Sequence, residues 1–213
     1  KIFEVTMTHV NLYNDNVAIG VHWPEFFSEQ EYNMMYSEIE FLCQDEFLLD
    51  SKEAGGASDS SGQMLRQNKG VILESIFNDN NSDIHRCTRR IFENETLEQL
   101  LKLGDVFHYL RMPTKETNLV NHYMDTHSYS YHRDACVMSA LTVFHKIPKP
   151  YTGGQLKIRY GTREDTIMLQ PRDLFIFPSY VEHCVTPISL LPETDKSDMM
   201  NGRISISKFI KLV

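Results

Sequence analysis

The string SYSYHRDACV sets an imidazole, His132, two positions before a carboxylate, Asp134. Residues two apart on a β-strand project to the same face, so the two side chains would converge on one point. One histidine from elsewhere would complete a set of two imidazoles and one carboxylate on one side of a metal. Such a set leaves coordination positions open, the arrangement that ferrous oxygenases require. The other histidines weighed for that place are His108, His122, His127, His145 and His183. His145, in the alternating run TVFHKI, has the more ordinary role of a hydrogen-bonded core or rim residue. The pair alone also has a plain reading, a surface histidine beside an acid, and only its surroundings separate the two.

Those surroundings form an ordered series. Tyr123 stands nine residues before His132, and Asp134 follows. Next come Gly153-Gly154-Gln155-Leu156, then Phe177-Pro178-Ser179 ahead of His183, and finally Gly202-Arg203-Ile204-Ser205. With these motifs in this order, the chain from about Val120 to Val213 resembles the iron(II)- and 2-oxoglutarate-dependent dioxygenases, in particular the prolyl 4-hydroxylase-like branch. The resemblance implies a double-stranded β-helix (jelly-roll) core and makes His183, 49 residues after Asp134, the third metal ligand. It implies that Arg203 anchors the distal carboxylate of 2-oxoglutarate, a task suited to the rigid donor fork of a guanidinium. Ser205, two residues along the same strand, would add a hydroxyl donor. Tyr123 and Tyr129 take positions that line the co-substrate pocket, and Leu156 packs beside it.

One departure from the family pattern concerns the anchor. Twenty residues separate His183 from Arg203, more than is usual, and the extra chain SLLPETDKSDMMN reads as a polar loop. Lys208 and Lys211 are therefore alternative anchors. Gly153 and Gly154 read as a turn, Cys136 as small buried filler, Cys184 as pointing away from the ligands, and Tyr131 as packed against a helix.

The activity implied by the resemblance is hydroxylation of an unactivated C–H bond, coupled to conversion of 2-oxoglutarate to succinate and carbon dioxide. Fe(II) is the implied cofactor, 2-oxoglutarate the co-substrate, O2 the oxidant and ascorbate a stimulant. Asp134, where halogenating relatives carry glycine, favours hydroxylation. A prolyl residue in a protein or peptide is the leading substrate, with a free amino acid or small metabolite as the alternative. A non-catalytic jelly-roll binding module is a third reading, against which the complete triad and Arg203 argue.

The elements that must position these groups read as helices first and strands after. The opening through about Val21 alternates loosely, as one or two strands. Ser28 with Glu31 is a capping box, and Tyr32, Met35, Ile39 and Leu42 recur at helical spacing, predicting a helix over about 29–43. Asp50 to Gly70 is rich in Gly, Ser and charge, a mobile surface loop that is either a lid or disordered. Residues 82–104 read as helical in two pieces broken near Asn94, with Thr96 and Gln99 as a second capping box and Gly104 as a C-cap. Short β-branched and aromatic runs follow at 119–123, 129–134, 137–144, 155–160, 166–169, 174–177 and 204–212. Many short strands without intervening helices imply a sandwich or open barrel. The expected class is α+β, one domain over 1–213, with N-terminal strands and supporting helices over 1–118 and the main core over 119–213.

Composition agrees. A length of 213 residues suits one domain, and 41% apolar residues fill a core. The net charge of -8 argues against a nucleic-acid binder, and Arg86, Arg89 and Arg90 read as a solvated helix face. No apolar run is long enough to span a bilayer, and KIFEVTMTHV lacks the layout of a signal peptide. Four dispersed cysteines without a CxxC pair imply free thiols, which makes the cytoplasm the expected location. A peptide, protein or small molecule is the expected partner, and no motif selects an oligomeric state.

Overall fold

The computed structural model describes residues 8–13, 17–78, 80–112 and 114–213. Its organising element is β13 (Arg203–Leu212), which pairs antiparallel with β4 (Thr114–Tyr123) on one side and β6 (Met138–Phe144) on the other. Outward from β6 come β10 (Leu174–Pro178), β2 (Val17–Trp23) and β1 (Thr8–Tyr13); outside β4 lies β3 (Lys69–Ile72). These seven strands form the larger sheet. A second sheet, of four strands, runs in the order β5 (Tyr129–His132), β11 (Glu182–Val185), β8 (Leu156–Tyr160) and β9 (Arg163–Ile167). A short pair, β7 (Tyr151–Gly153) and β12 (Ile188–Leu190), stands apart. Every strand pairing among the described residues is antiparallel.

Strand alternation gives the larger sheet two apolar faces. Ile204, Ile206 and Ile210 of β13 pack with Val120, Ala140, Phe144 and Ile176 into a core roofed by helices α1 (Glu29–Leu42), α2 (Asp83–Thr88) and α3 (Asn94–Leu101). The helices contribute Met35, Ile39 and Leu42, then Ile84 and Cys87, then Leu100. On the opposite face Leu141, Phe175 and Phe177 meet Leu156, Ile158 and Ile167 of the smaller sheet. The molecule is a sandwich of two antiparallel sheets with helices on one outer face.

The helix expected over 29–43 is α1, and its capping box is present: the Glu31 N–H donates to Ser28 Oγ at 3.2 Å and the Ser28 N–H donates to the Glu31 carboxylate at 2.8 Å. The break near Asn94 is there too, since a 3-10 turn over Arg89–Phe92 separates α2 from α3. The second capping box is not formed. Thr96 lies inside α3, whose N-cap is Glu93 with no side-chain cap bond, and the C-cap is Lys102. Gly104, with φ 170, instead leads into a 3-10 turn over Asp105–Arg111. The arginine strip is dissolved into ion pairs: Arg86 with Asp83 at 2.6 Å, Arg89 with Glu116 at 3.5 Å, Arg90 with Glu31 at 2.7 Å.

Two differences bear on the site. The segment 50–70 keeps an exposed surface loop at 58–63, but its end is tied into the sheets. The Ser130 N–H donates to Leu65 O at 2.8 Å and the Gln67 N–H to Ser128 O at 3.0 Å, so residues 65–67 run along the free edge of β5. The chain then crosses to the larger sheet as β3, and Ala54 and Arg66 are buried on the way. Further, the boundary expected at 118/119 falls inside β4, because β3 and the first half of β4 pair into the same sheet as β13. All four cysteines are free thiols. Among the described residues no helix is long and apolar enough to cross a membrane.

Candidate active site

His132 ends β5 and His183 lies on β11, and the two are paired directly across the ladder. Pairing at one register position puts both imidazoles on one face, the face that looks toward the larger sheet. Asp134 follows two residues after β5 ends, and its backbone N–H is held by Ser179 O at 3.3 Å. Its carboxylate then stands between the rings, Oδ1 at 3.7 Å from His132 Nε2 and Oδ2 at 3.5 Å from His183 Nε2. One donor atom from each of the three lies within 4.8 Å of the others.

The rings are set for a metal. His132 Nδ1 donates to Ser130 O at 2.8 Å and His183 Nδ1 to Val181 O at 3.1 Å, so each Nε2 presents its lone pair to the centre. Burial, and then the neighbouring His183, push the His132 pKa down to about 4, which keeps the ligand form neutral. Tyr129 stacks on His132 with ring centroids 3.6 Å apart, and Phe177 meets His183 edge-on at 4.9 Å. Ser139 Oγ donates to Asp134 Oδ2 at 2.5 Å and contacts Ser179 Oγ at 3.0 Å, and Cys136 Sγ contacts the same Ser179 hydroxyl at 2.7 Å. Ser139, on β6, therefore orients a carboxylate carried by the connection that leaves β5 of the other sheet. It went unnoticed in the sequence, although a serine inside the apolar run VMSALTVF was a signal.

The three groups open into a cavity of about 330 Å³ between the sheets. Tyr123, Tyr129, Leu156, Arg203 and Ser205, all singled out from sequence, line it together with the triad. Arg203 is 4% exposed, pairs in register with Tyr123, and donates from Nη1 to Ser205 Oγ at 3.1 Å. Its guanidinium carbon lies 5.1 Å from the Tyr123 ring centroid. Burial pushes the Tyr123 phenol up to about 12, so it remains a donor at neutral pH. Tyr129 OH accepts the Ala57 N–H at 3.0 Å, which ties segment 50–70 to the cavity wall. Gly154, at φ +67, does more than turn the chain: a Cβ there would lie 2.7 Å from Arg203 Cδ.

The alternatives fall away by position. His122 is fully buried on the helix side of β4, bonded to Met199 O at 2.7 Å. His145 contacts Lys146 O at 2.9 Å and lines a smaller neighbouring cavity. His127 accepts the Met124 N–H at 3.1 Å, and His108 is exposed. Lys208 is the wrong parity on β13: it points to the helices, pairs with Glu116 and donates to Thr88 Oγ1 at 3.2 Å. Lys211 keeps the right parity but lies eight residues along the strand from Arg203, about 26 Å at strand rise. The long segment before Arg203 folds as β12, a turn and a 3-10 turn over Met199–Asn201, clamped by the Lys146–Asp198 ion pair. Tyr131 is not against a helix; it lies on the outer face of the smaller sheet, donating to Glu164 at 2.5 Å beneath Arg159. Cys184 likewise points away from the ligands.

A residue that no motif marked completes the lining. Arg66 is 1% exposed, donating from Nη1 to Ala54 O at 3.3 Å and from Nε to Asn68 O at 3.4 Å. It sits in a Gly- and Ser-rich stretch with no periodicity, so nothing local distinguished it from a surface arginine.

No protein-family model matches the chain. It is 27% identical over 135 residues to the PKHD-type hydroxylase YbiX of Escherichia coli O1:K1 / APEC, a match covering 58% of this chain and 60% of the relative. The chain thus spans about three-fifths of that relative's length. Among solved structures, a Pseudomonas putida prolyl-4-hydroxylase superposes with a TM-score of 0.61 at 15% identity, covering 92% of this chain and 93% of the other. The non-haem α-ketoglutarate-dependent epimerase SnoN from nogalamycin biosynthesis gives a TM-score of 0.56 at 15% identity, over 91% and 78%. These likenesses agree with the resemblance carried by the motifs.

Proposed function

We propose that this chain, similar to the prolyl 4-hydroxylase-like 2-oxoglutarate–iron(II) oxygenases, is itself such an enzyme and hydroxylates an unactivated C–H bond. The observation that carries the reading is the convergence of His132, Asp134 and His183 on one wall of a cavity whose opposite wall holds the buried Arg203. The two-sheet sandwich with one domain over 1–213 fits a jelly-roll core, and the four free thiols fit a cytoplasmic location.

The residues present fit the implied group. Two imidazole Nε2 atoms and a carboxylate on one side suit ferrous iron and leave its other side to ligands from the cavity. When bound, iron(II) with 2-oxoglutarate and O2 supplies the oxidising power, 2-oxoglutarate leaving as succinate and carbon dioxide, with ascorbate as an expected stimulant. Ser139 holds Asp134 at the angle at which it faces both imidazoles. Arg203 and Ser205 would take the distal carboxylate of 2-oxoglutarate, with the Tyr123 phenol as a further donor and Leu156 closing the apolar side. Tyr129 holds the His132 ring in place by stacking.

A prolyl residue in a protein or peptide is the substrate suggested by the names of the hydroxylase relative and neighbour. The epimerase neighbour and the modest cavity volume support a small molecule as the second reading. Nucleic acid and membrane partners form no part of either reading. The test is succinate production from 2-oxoglutarate with ferrous iron and ascorbate, alone and with pooled prolyl peptides or pooled free amino acids. Stimulation by one pool is expected and selects the substrate class. Absence of turnover together with absence of iron binding would leave a non-catalytic binding module.

A further inference from the structure

Among the described residues lining the cavity, Arg66 is the one buried cation that the proposed mechanism leaves idle. Its Nη2 has no hydrogen-bond partner, and no carboxylate among the described residues pairs with it. Burying a guanidinium without a counter-ion is costly, and the cost is offset when a bound anion supplies one. The lining as a whole has the same bias. Arg66, Arg133, Arg203 and Lys211 face Asp134 as the single acid among the described lining residues, in a chain of net charge -8. A divalent metal and the dianion of 2-oxoglutarate cancel each other, Asp134 offsets Arg203, and Arg133 reaches Glu182 at 3.3 Å. The surplus charge is that of Arg66, with Lys211 out at the mouth.

Position separates Arg66 from the co-substrate anchor. Arg203 stands at the Gly154 end, bonded to Ser205. Arg66 is bridged through its backbone to Tyr129, whose ring stacks on His132, and its guanidinium reaches back to Gly70 of β3, so it stands between the metal ligands and the larger sheet. A group held there is next to the reacting centre.

We propose that Arg66 seats a carboxylate carried by the substrate itself, so that the C–H bond oxidised lies close to a free carboxyl group. The inference rests on the oxygenase reading for its chemistry and narrows the substrate to carboxylic acids, whether free amino acids or peptides whose prolyl residue is C-terminal. Such a substrate receives a charge-assisted bond from the unpartnered Nη2 in a site from which water is largely excluded.

The experiment compares matched acids and amides. Protein loaded with manganese(II), which does not turn over, and 2-oxoglutarate is titrated with free amino acids and their amides, and with peptides ending in proline whose C-terminus is free or amidated. At least one acid is expected to bind about tenfold or more tightly than its amide, the value of a desolvated charge-assisted bond. Arg66→Met should bring that acid down to the level of its amide and leave 2-oxoglutarate affinity unchanged. Because Arg66 also holds the carbonyls of Ala54 and Asn68, two milder variants accompany it. Arg66→Lys should recover part of the preference, and Gly70→Ala, whose Cβ would collide with Nη2, should weaken it with the charge intact. Whichever pool contains the binding acid names its source. Equal binding of acid and amide, no binding acid in either pool, or a loss of 2-oxoglutarate affinity in Arg66→Met matching that in Arg203→Met would each overturn the proposal. Failure of the wild type to take up manganese or 2-oxoglutarate would instead strike the oxygenase reading. The acid–amide comparison on metal-free protein then still decides the role of Arg66.

Discussion

The two faces of β13 each bury a cation, and the difference between them separates structure from function. On the helix side Lys208, 1% exposed among isoleucines, is matched by Glu116 and Thr88. On the side facing the smaller sheet Arg203 has a serine hydroxyl and an aromatic ring for company, and Arg66, beside β3, has two carbonyls. A buried charge matched by a carboxylate is complete within the fold. Buried charges with only neutral partners are complete when a ligand brings the counter-charge. One strand thus contributes to a closed core and to an open site, with parity along the chain deciding which.

The comparison breaks most visibly at the metal triad. Asp134→Ala or His132→Ala should reduce 2-oxoglutarate turnover to background and abolish ferrous binding with the fold retained; succinate assays and metal titration check it, and normal turnover in either variant would sink the assignment. Arg203→Ala should raise the 2-oxoglutarate requirement about ten- to a hundredfold with little loss of stability. An unchanged requirement would move the anchor elsewhere, and Arg66 is the nearest candidate. Lys208→Met should do the reverse: it leaves Glu116 only its 3.5 Å pair with Arg89 and costs about 1–3 kcal/mol of stability in denaturant unfolding, with the 2-oxoglutarate requirement untouched. Adding Glu116→Gln should return much of that loss.

The smallest effect belongs to the outer face of the smaller sheet. Hydrogen bonds from Tyr131, and then Lys157 and Arg159, lower the exposed Glu164 carboxyl to about 2. A depressed carboxyl contributes stability above its unfolded value of about 4.3 and loses it as pH falls toward the folded value. Glu164→Gln should lower thermal stability slightly at neutral pH, where the charged carboxyl contributes in full, and flatten the profile across that acid range so that variant and wild type converge at low pH. A profile identical to wild type would show the cluster to be energetically idle.

Much of the fold was legible. Ser28 and Glu31 announced α1, and the β-branched runs announced β4, β6, β8, β10 and β13, because capping and strand alternation are local. The short strands β7, β11 and β12 and the glycine-containing β3 were missed, since runs of three or four residues carry too little period to be seen. β11 matters most among these, for it brings His183 opposite His132.

The amino-acid order by itself determined which chemical types were available and which of them share a face of β13, Arg203 with Ser205 and Lys208 on the other parity. It needed only the two-residue period of a strand. Asp134, by contrast, lies beyond the end of β5 and is placed by Ser139 and Ser179. Tertiary structure alone decided that the triad and the Arg203 face meet in one cavity, that Ser139 of β6 steers Asp134 in the connection after β5, and that Arg66 is buried without an acid. The physical reason is that proximity across the chain and exclusion of water arise only when the sheets pack, and those two conditions turn a set of polar side chains into a site.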